Sequence, residues 1–179
     1  MARIVLYHGT ANSFESFDEH FTLRGSEPNS GLGVHLTERP DLAAHYALLA
    51  ARDLHGGDPV VLVVEAELSR VALVSSAVDY LGRDVEIFDV ETNRSREEFV
   101  ARRHELQDQG FDAVATEETA LDDISGCWAV FDPTRLSIIG RLSPQVAEDL
   151  EADTFFPEID FESIQLFSVE GSRTLIRLS

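Results

Sequence analysis

The chain has 179 residues, with 33 acidic against 14 basic side chains and a net charge of −19. Every basic residue is an arginine, and the acidity repels phosphate backbones over long range, so nucleic acid is a disfavoured partner. Apolar residues make up 44% of the chain, enough to fill the core of one domain with an appendage. No apolar run approaches the roughly 18 residues needed to cross a membrane, and Met1 to Leu6 is too short for a signal-peptide apolar stretch, so a cytoplasmic protein is expected. The single cysteine, Cys127, excludes an internal disulfide and a cysteine-based zinc site, and His45, His55 and His104 share no metal-ligand spacing. No metal is expected.

Ile4-Val5-Leu6-Tyr7 reads as a strand delivering the turn His8-Gly9-Thr10. Phe14 and Phe17 follow among polar residues. Residues 24–33, with Gly25, Pro28, Gly31 and Gly33, read as a loop, and Val34 to Thr37 as a short strand. Thr37 is placed to cap a helix with Pro40 in its first turn, running from Asp41 to Leu54 and stopped by Gly56-Gly57. Val60 to Ala66 is apolar and β-branched, a buried strand, and Val71 to Val74 continues the sheet.

The charged stretch 94–109 reads as an exposed helix ending at Gly110, with Phe99, Val100 and Leu106 as its apolar positions. Phe111 to Ala115, Trp128 to Phe131 and Leu136 to Ile139 are strands, separated by an acidic loop over 116–126 and by the turn Asp132-Pro133. Ser143-Pro144 starts a helix whose Val146, Ala147 and Leu150 share a face. Ile164 to Val169 and Thr174 to Leu178 read as a hairpin. Strands outnumber inserted helices, which predicts an α+β fold. The division expected is a main domain over 1–142 and a helix-plus-hairpin extension over 143–179 packed on it.

Three segments carry the chemistry. They are Tyr7-His8-Gly9-Thr10; Gly31-Leu32-Gly33-Val34-His35-Leu36-Thr37 with Ala43-Ala44-His45-Tyr46 behind it; and Cys127-Trp128-Ala129-Val130-Phe131-Asp132-Pro133. In order and spacing they resemble the diphtheria-toxin-like ADP-ribosyltransferases, which include the poly(ADP-ribose) polymerases. The resemblance spans roughly residues 4–142. It implies a split mixed or antiparallel sheet with inserted helices, and NAD as substrate. It also implies roles. His8 would hydrogen-bond the adenosine ribose. Gly9, without a Cβ, would let its backbone approach the nicotinamide carboxamide, and Tyr46 would stack on the nicotinamide ring. Thr10 and Gly33 belong to the cofactor-binding motifs, and Arg24 would hold the pyrophosphate. Catalysis would rest mostly on positioning and electrostatics.

Two positions depart from the family pattern. The strand position that carries Tyr holds His35, and the position that carries Glu holds Cys127. A thiol does little to stabilise the positive charge that develops on the ribose. Among the acids of the preceding loop, Glu117, Glu118, Asp122 and Asp123, we single out Glu118 as a catalytic candidate beside His35 and Cys127. The His, His, non-acid set is similar to the NAD-dependent RNA 2′-phosphotransferases. The His-Gly-Thr start and Leu-Thr strand end are similar to the rifampin ADP-ribosyltransferases, which modify a small molecule. The expectation is a bacterial or phage mono-ADP-ribosyltransferase acting on a protein or small-molecule acceptor. A non-catalytic NAD or ADP-ribose binding module, a 2′-phosphotransferase-like enzyme and an interaction protein that keeps only the fold stay open as alternatives.

Overall fold

A computed structural model of the chain describes residues 2–18, 28–53, 56–74, 95–116, 126–150 and 165–168. In chain order its elements are β1 (Ala2–Thr10), a 3₁₀ turn (Pro28–Gly31), β2 (Val34–Thr37), α1 (Pro40–Asp53), β3 (Val60–Leu68), β4 (Arg70–Val74), α2 (Arg96–Asp108), β5 (Ala113–Thr116), β6 (Cys127–Val130), a 3₁₀ turn (Pro133–Arg135), β7 (Leu136–Leu142), α3 (Pro144–Glu148) and β8 (Gln165–Ser168). The strands run β7-β3-β1-β2-β6-β5-β4-β8 across one mixed sheet. Only the β4–β5 and β4–β8 pairings are parallel. The fold is α+β, a mixed sheet with inserted helices, as the resemblance implies.

The sheet divides into two leaves. β7, β3 and β1 form one; β2, β6, β5, β4 and β8 form the other. Between them, β1 and β2 share a single register pair, Tyr7 with Thr37. Strand alternation sends every second side chain to one side of the sheet. On that side Ile4, Leu6, Leu36, Leu62, Val64, Val71, Ala115 and Trp128 from both leaves meet in one core cluster with Phe17. Burying such side chains stabilises the fold by about 1.5–3 kcal/mol each.

On the other side the two leaves carry separate helices. α1 packs its Ala43, Ala44 and Ala47 on Tyr7, Val61 and Val63, with Ala147 of α3 in the same cluster. The small alanines let the helix backbone come close to β1. α2 packs Phe99 and Leu106 with Leu32, Val74, Phe111, Val114, Ala129 and Phe131. This apolar row makes 96–108 a helix despite its many charges.

Several local expectations change. β1, β3 and β7 run further than the apolar runs predicted, because paired neighbours extend the ladder through polar residues. Thr37 does not cap α1. Its Oγ1 accepts from the Arg39 N–H, and the carbonyl of Arg39 accepts the helical bond from Ala43. Arg102 of α2 is buried alongside Phe99 and Leu106. At α3, Ser143 caps the helix as predicted by accepting from the Val146 N–H, but Val146 is 48% exposed and only Ala147 of the helix turns to the core. Residues 165–168 form β8, parallel to β4 at the sheet edge, while the other half of the expected hairpin, 174–178, lies outside the described residues. Among the described residues no helix is long and apolar enough to cross a membrane.

Candidate functional site

The single Tyr7–Thr37 pair leaves a gap between the leaves. β1 continues through His8, Gly9 and Thr10, each still paired with β3. β2 approaches through Val34, His35 and Leu36, each still paired with β6. The His-Gly-Thr and Val-His-Leu segments singled out in the sequence therefore frame the opened seam. A backbone carbonyl left without its ladder partner needs another donor. His8 supplies it: its Nδ1–H donates to the His35 carbonyl at 2.8 Å. The His35 ring in turn donates its Nε2–H to the Asn29 carbonyl at 2.9 Å, on the 3₁₀ turn before β2. Because carbonyls only accept, these bonds assign the neutral tautomers, with the lone pair on Nε2 of His8 and on Nδ1 of His35.

Both imidazoles are held neutral. The protein packed around His8 pushes its pKa down from 6.5 to about 4; the bond to the His35 carbonyl opposes this, and the nearby His35 ring adds to it. Loss of solvent also lowers the pKa of His35, again opposed by its carbonyl bond. The edges of Phe14 and Phe17 meet the His8 ring at centroid distances of 6.1 and 5.5 Å, and the two phenyl rings meet each other at 5.0 Å. Such edge-to-face contacts fix a ring plane as well as burying it.

Gly9 faces α1. A Cβ there would stand 2.0 Å from the Ala43 carbonyl oxygen and 2.7 Å from the Ala47 nitrogen. The glycine is thus required by helix packing, a reason the motif alone did not reveal. Gly33 is similar: a Cβ would meet the Val130 carbonyl oxygen at 2.5 Å, so β2 enters pressed against β6. Thr10 ends β1 and turns its hydroxyl to the Asn12 carbonyl at 3.2 Å.

Cys127 opens β6, opposite Thr37, while Ala129 stands opposite His35. Trp128 points into the core between the leaves and Ala129 into the α2 cluster, so Cys127 and His35 share the helix-covered side of the sheet. Tyr46 reaches this side from α1. Its phenol pKa is raised first by burial and second by the electrostatic influence of Cys127. Tyr46 nevertheless keeps 41% of its surface exposed, and the His45 ring lies 6.2 Å from it. The structure therefore brings His8, Gly9, Thr10, Gly33 and His35 around the gap, with Tyr46 and Cys127 beside it. Arg24, Glu117, Glu118, Asp122 and Asp123 lie outside the described residues.

Sequence reading passed over four contributors. Phe14 and Phe17 were seen only as isolated apolar residues, although two aromatics three apart after His-Gly-Thr were a usable signal. Asn29 acts through its backbone and left none. Glu38, one residue past the strand end, accepts the Trp128 indole N–H at 2.7 Å and bonds the Gly126 carbonyl through its own N–H.

Chemically, the described site is a set of neutral hydrogen-bonding groups beside aromatic rings. Imidazole lone pairs accept from hydroxyls, and a phenol face accepts an aromatic ring. Such groups suit a sugar joined to a planar base. Among the described residues no group of His, Cys, Asp or Glu gathers to hold a metal ion.

No protein-family model matches the sequence, and neither does any curated protein. Among solved structures, a chain of the M. tuberculosis MbcT–MbcA toxin–antitoxin complex superimposes with a TM-score of 0.53 at 12% identity, covering 84% of this chain and 90% of that one. The likeness is one of fold, and it extends over most of both chains.

Proposed function

We propose that the chain binds NAD in the opened seam between β1 and β2 and transfers ADP-ribose from it to a protein or small-molecule acceptor. The observation that carries this reading is the gap itself. Two of the three segments that carry the resemblance to ADP-ribosyltransferases border the seam where β1 and β2 keep a single register pair, and His8 bridges it to His35. A ligand seated there meets His8 from one side of the sheet and His35, Tyr46 and Cys127 from the other.

In this reading His8 accepts a ribose hydroxyl on Nε2, and its tautomer is fixed by the His35 carbonyl. His35 stays neutral and presents its lone pair on Nδ1. Tyr46 stacks against the nicotinamide ring, its phenol kept protonated by burial and by Cys127. NAD as substrate supplies a glycosidic C–N bond whose cleavage frees nicotinamide. The chain's own groups bind and orient the ribose and exclude water while that bond breaks. The toxin–antitoxin setting of the structural neighbour favours a protein partner for this chain.

Nicotinamide release tests transfer. Purified protein incubated with NAD and a cell lysate is expected to release nicotinamide and to label an acceptor, and His8→Ala should abolish both. One observation favours a second reading, a binding module without transfer: the head of β6, opposite Thr37, holds a thiol and not a carboxylate. Saturable NAD binding with no nicotinamide released under any acceptor would select it.

A further inference from the structure

Cys127 occupies an unusual place in the ladder. β5 and β6 pair through Ala113–Val130, Val114–Ala129 and Ala115–Trp128, and the pairing then stops. The next pair would have been Thr116 with Cys127. In its place the Thr116 side chain brackets the residue: Oγ1 accepts the Cys127 N–H at 3.1 Å and donates to the Cys127 carbonyl at 3.4 Å. On the other flank, Glu38 grips both neighbours of Cys127. Its carboxylate accepts the Trp128 indole N–H at 2.7 Å, and its N–H donates to the Gly126 carbonyl at 2.9 Å. Gly126 packs on the Glu38 side chain, with its Cβ position 3.4 Å from the Glu38 Cβ. Thr116 is buried, and so is Trp128.

A regular strand start needs neither device. We infer that Glu38 and Thr116 are positioning residues that fix Cys127 at the head of β6 and so set one wall of the NAD site. This deepens the function proposed above and rests on it. Glu38 holds the turn into β6 from the β2–α1 corner, the same corner from which α1 carries Tyr46 forward. The Glu38 carboxylate thereby ties the β2–α1 corner to Trp128 of β6, the residue after Cys127. A hydrogen bond to a charged acceptor is worth about 1.5–3 kcal/mol, so its loss loosens the wall by roughly a factor of ten or more.

The test uses three readouts on the full chain: emission of Trp128, the sole tryptophan; the alkylation rate of Cys127, the sole cysteine, with iodoacetamide; and NAD affinity by calorimetry. For Glu38→Ala the expected result is shifted emission, with alkylation faster and NAD affinity weaker by about tenfold each. Glu38→Gln, which keeps an acceptor oxygen, should return both toward wild type. Thr116→Val should speed alkylation in the same direction. Should Glu38→Ala not fold, Thr116→Val against wild type decides by the same readouts. Shifted emission with alkylation and affinity both unchanged overturns the inference. If wild type shows no NAD binding, the proposed function fails, while the alkylation rates still decide the positioning role.

Discussion

β1 has two neighbours and treats them differently. With β3 it keeps an unbroken ladder from Ala2–Leu68 to Thr10–Val60. With β2 it keeps only Tyr7–Thr37. Val61, Leu62 and Val64 of β3 are apolar with 0% exposure and read as core. Past the Tyr7–Thr37 pair come His8, Gly9 and Thr10; the His8 ring bonds the His35 carbonyl and the Thr10 hydroxyl bonds the Asn12 carbonyl. The β3 seam therefore carries stability, and the β2 seam is where the proposed chemistry lies.

That contrast can be broken from either side. The largest effect is expected on the closed seam. Leu68→Ala should cost about 3 kcal/mol in urea unfolding, since it opens a cavity in the core at the far end of the ladder, opposite Ala2, and should leave NAD affinity unchanged in the folded protein. Gly9→Ala should cost about 2 kcal/mol or more, because its Cβ meets the α1 backbone and not a flexible side chain. It tests whether α1 is seated on β1 as described. On the open seam the weights reverse. His8→Ala should weaken NAD binding by about tenfold while costing less stability than Leu68→Ala. Tyr46→Ala, at a position 41% exposed, should change stability by no more than about 0.5 kcal/mol and weaken NAD by about fivefold through lost stacking.

The smallest effect concerns pH. The folded pKa of His8 lies at about 4, below the ordinary 6.5. The unfolded chain therefore takes up this proton first, and stability from His8 falls as pH drops through that interval. His8→Asn should show a shallower loss than wild type in denaturant titrations over the same range. NAD affinity should stay nearly flat from pH 8 to about pH 5, because the ring is already neutral throughout. A midpoint near 6.5 in wild-type affinity would contradict the packed, neutral ring.

Much of this architecture was legible in the residues. Val34 to Thr37 shows a strand, and Val60 to Ala66 shows a buried one, because β-branched apolar runs of that length fit little else. The α1 segment shows itself through alanine and leucine between Pro40 and Gly56-Gly57. The site motifs were legible as order and spacing. What sequence could not show was anything decided by three-dimensional neighbours. Thr37 looks like a cap, yet its hydroxyl bonds Arg39 ahead of the helix. Gly9 looks like a ligand contact, yet its missing Cβ is where α1 rests. Glu38 looks like a surface acid, yet it holds the indole of a residue 90 positions away. Pairings that distant leave no local periodicity to read.

The central claim is that the opened β1–β2 seam is an NAD site organised by His8. Calorimetric titration of NAD into wild type and His8→Ala at neutral pH tests it most directly. The account predicts saturable heat for wild type and about tenfold weaker binding for His8→Ala. No heat from wild type, or equal affinity in the two proteins, would contradict it.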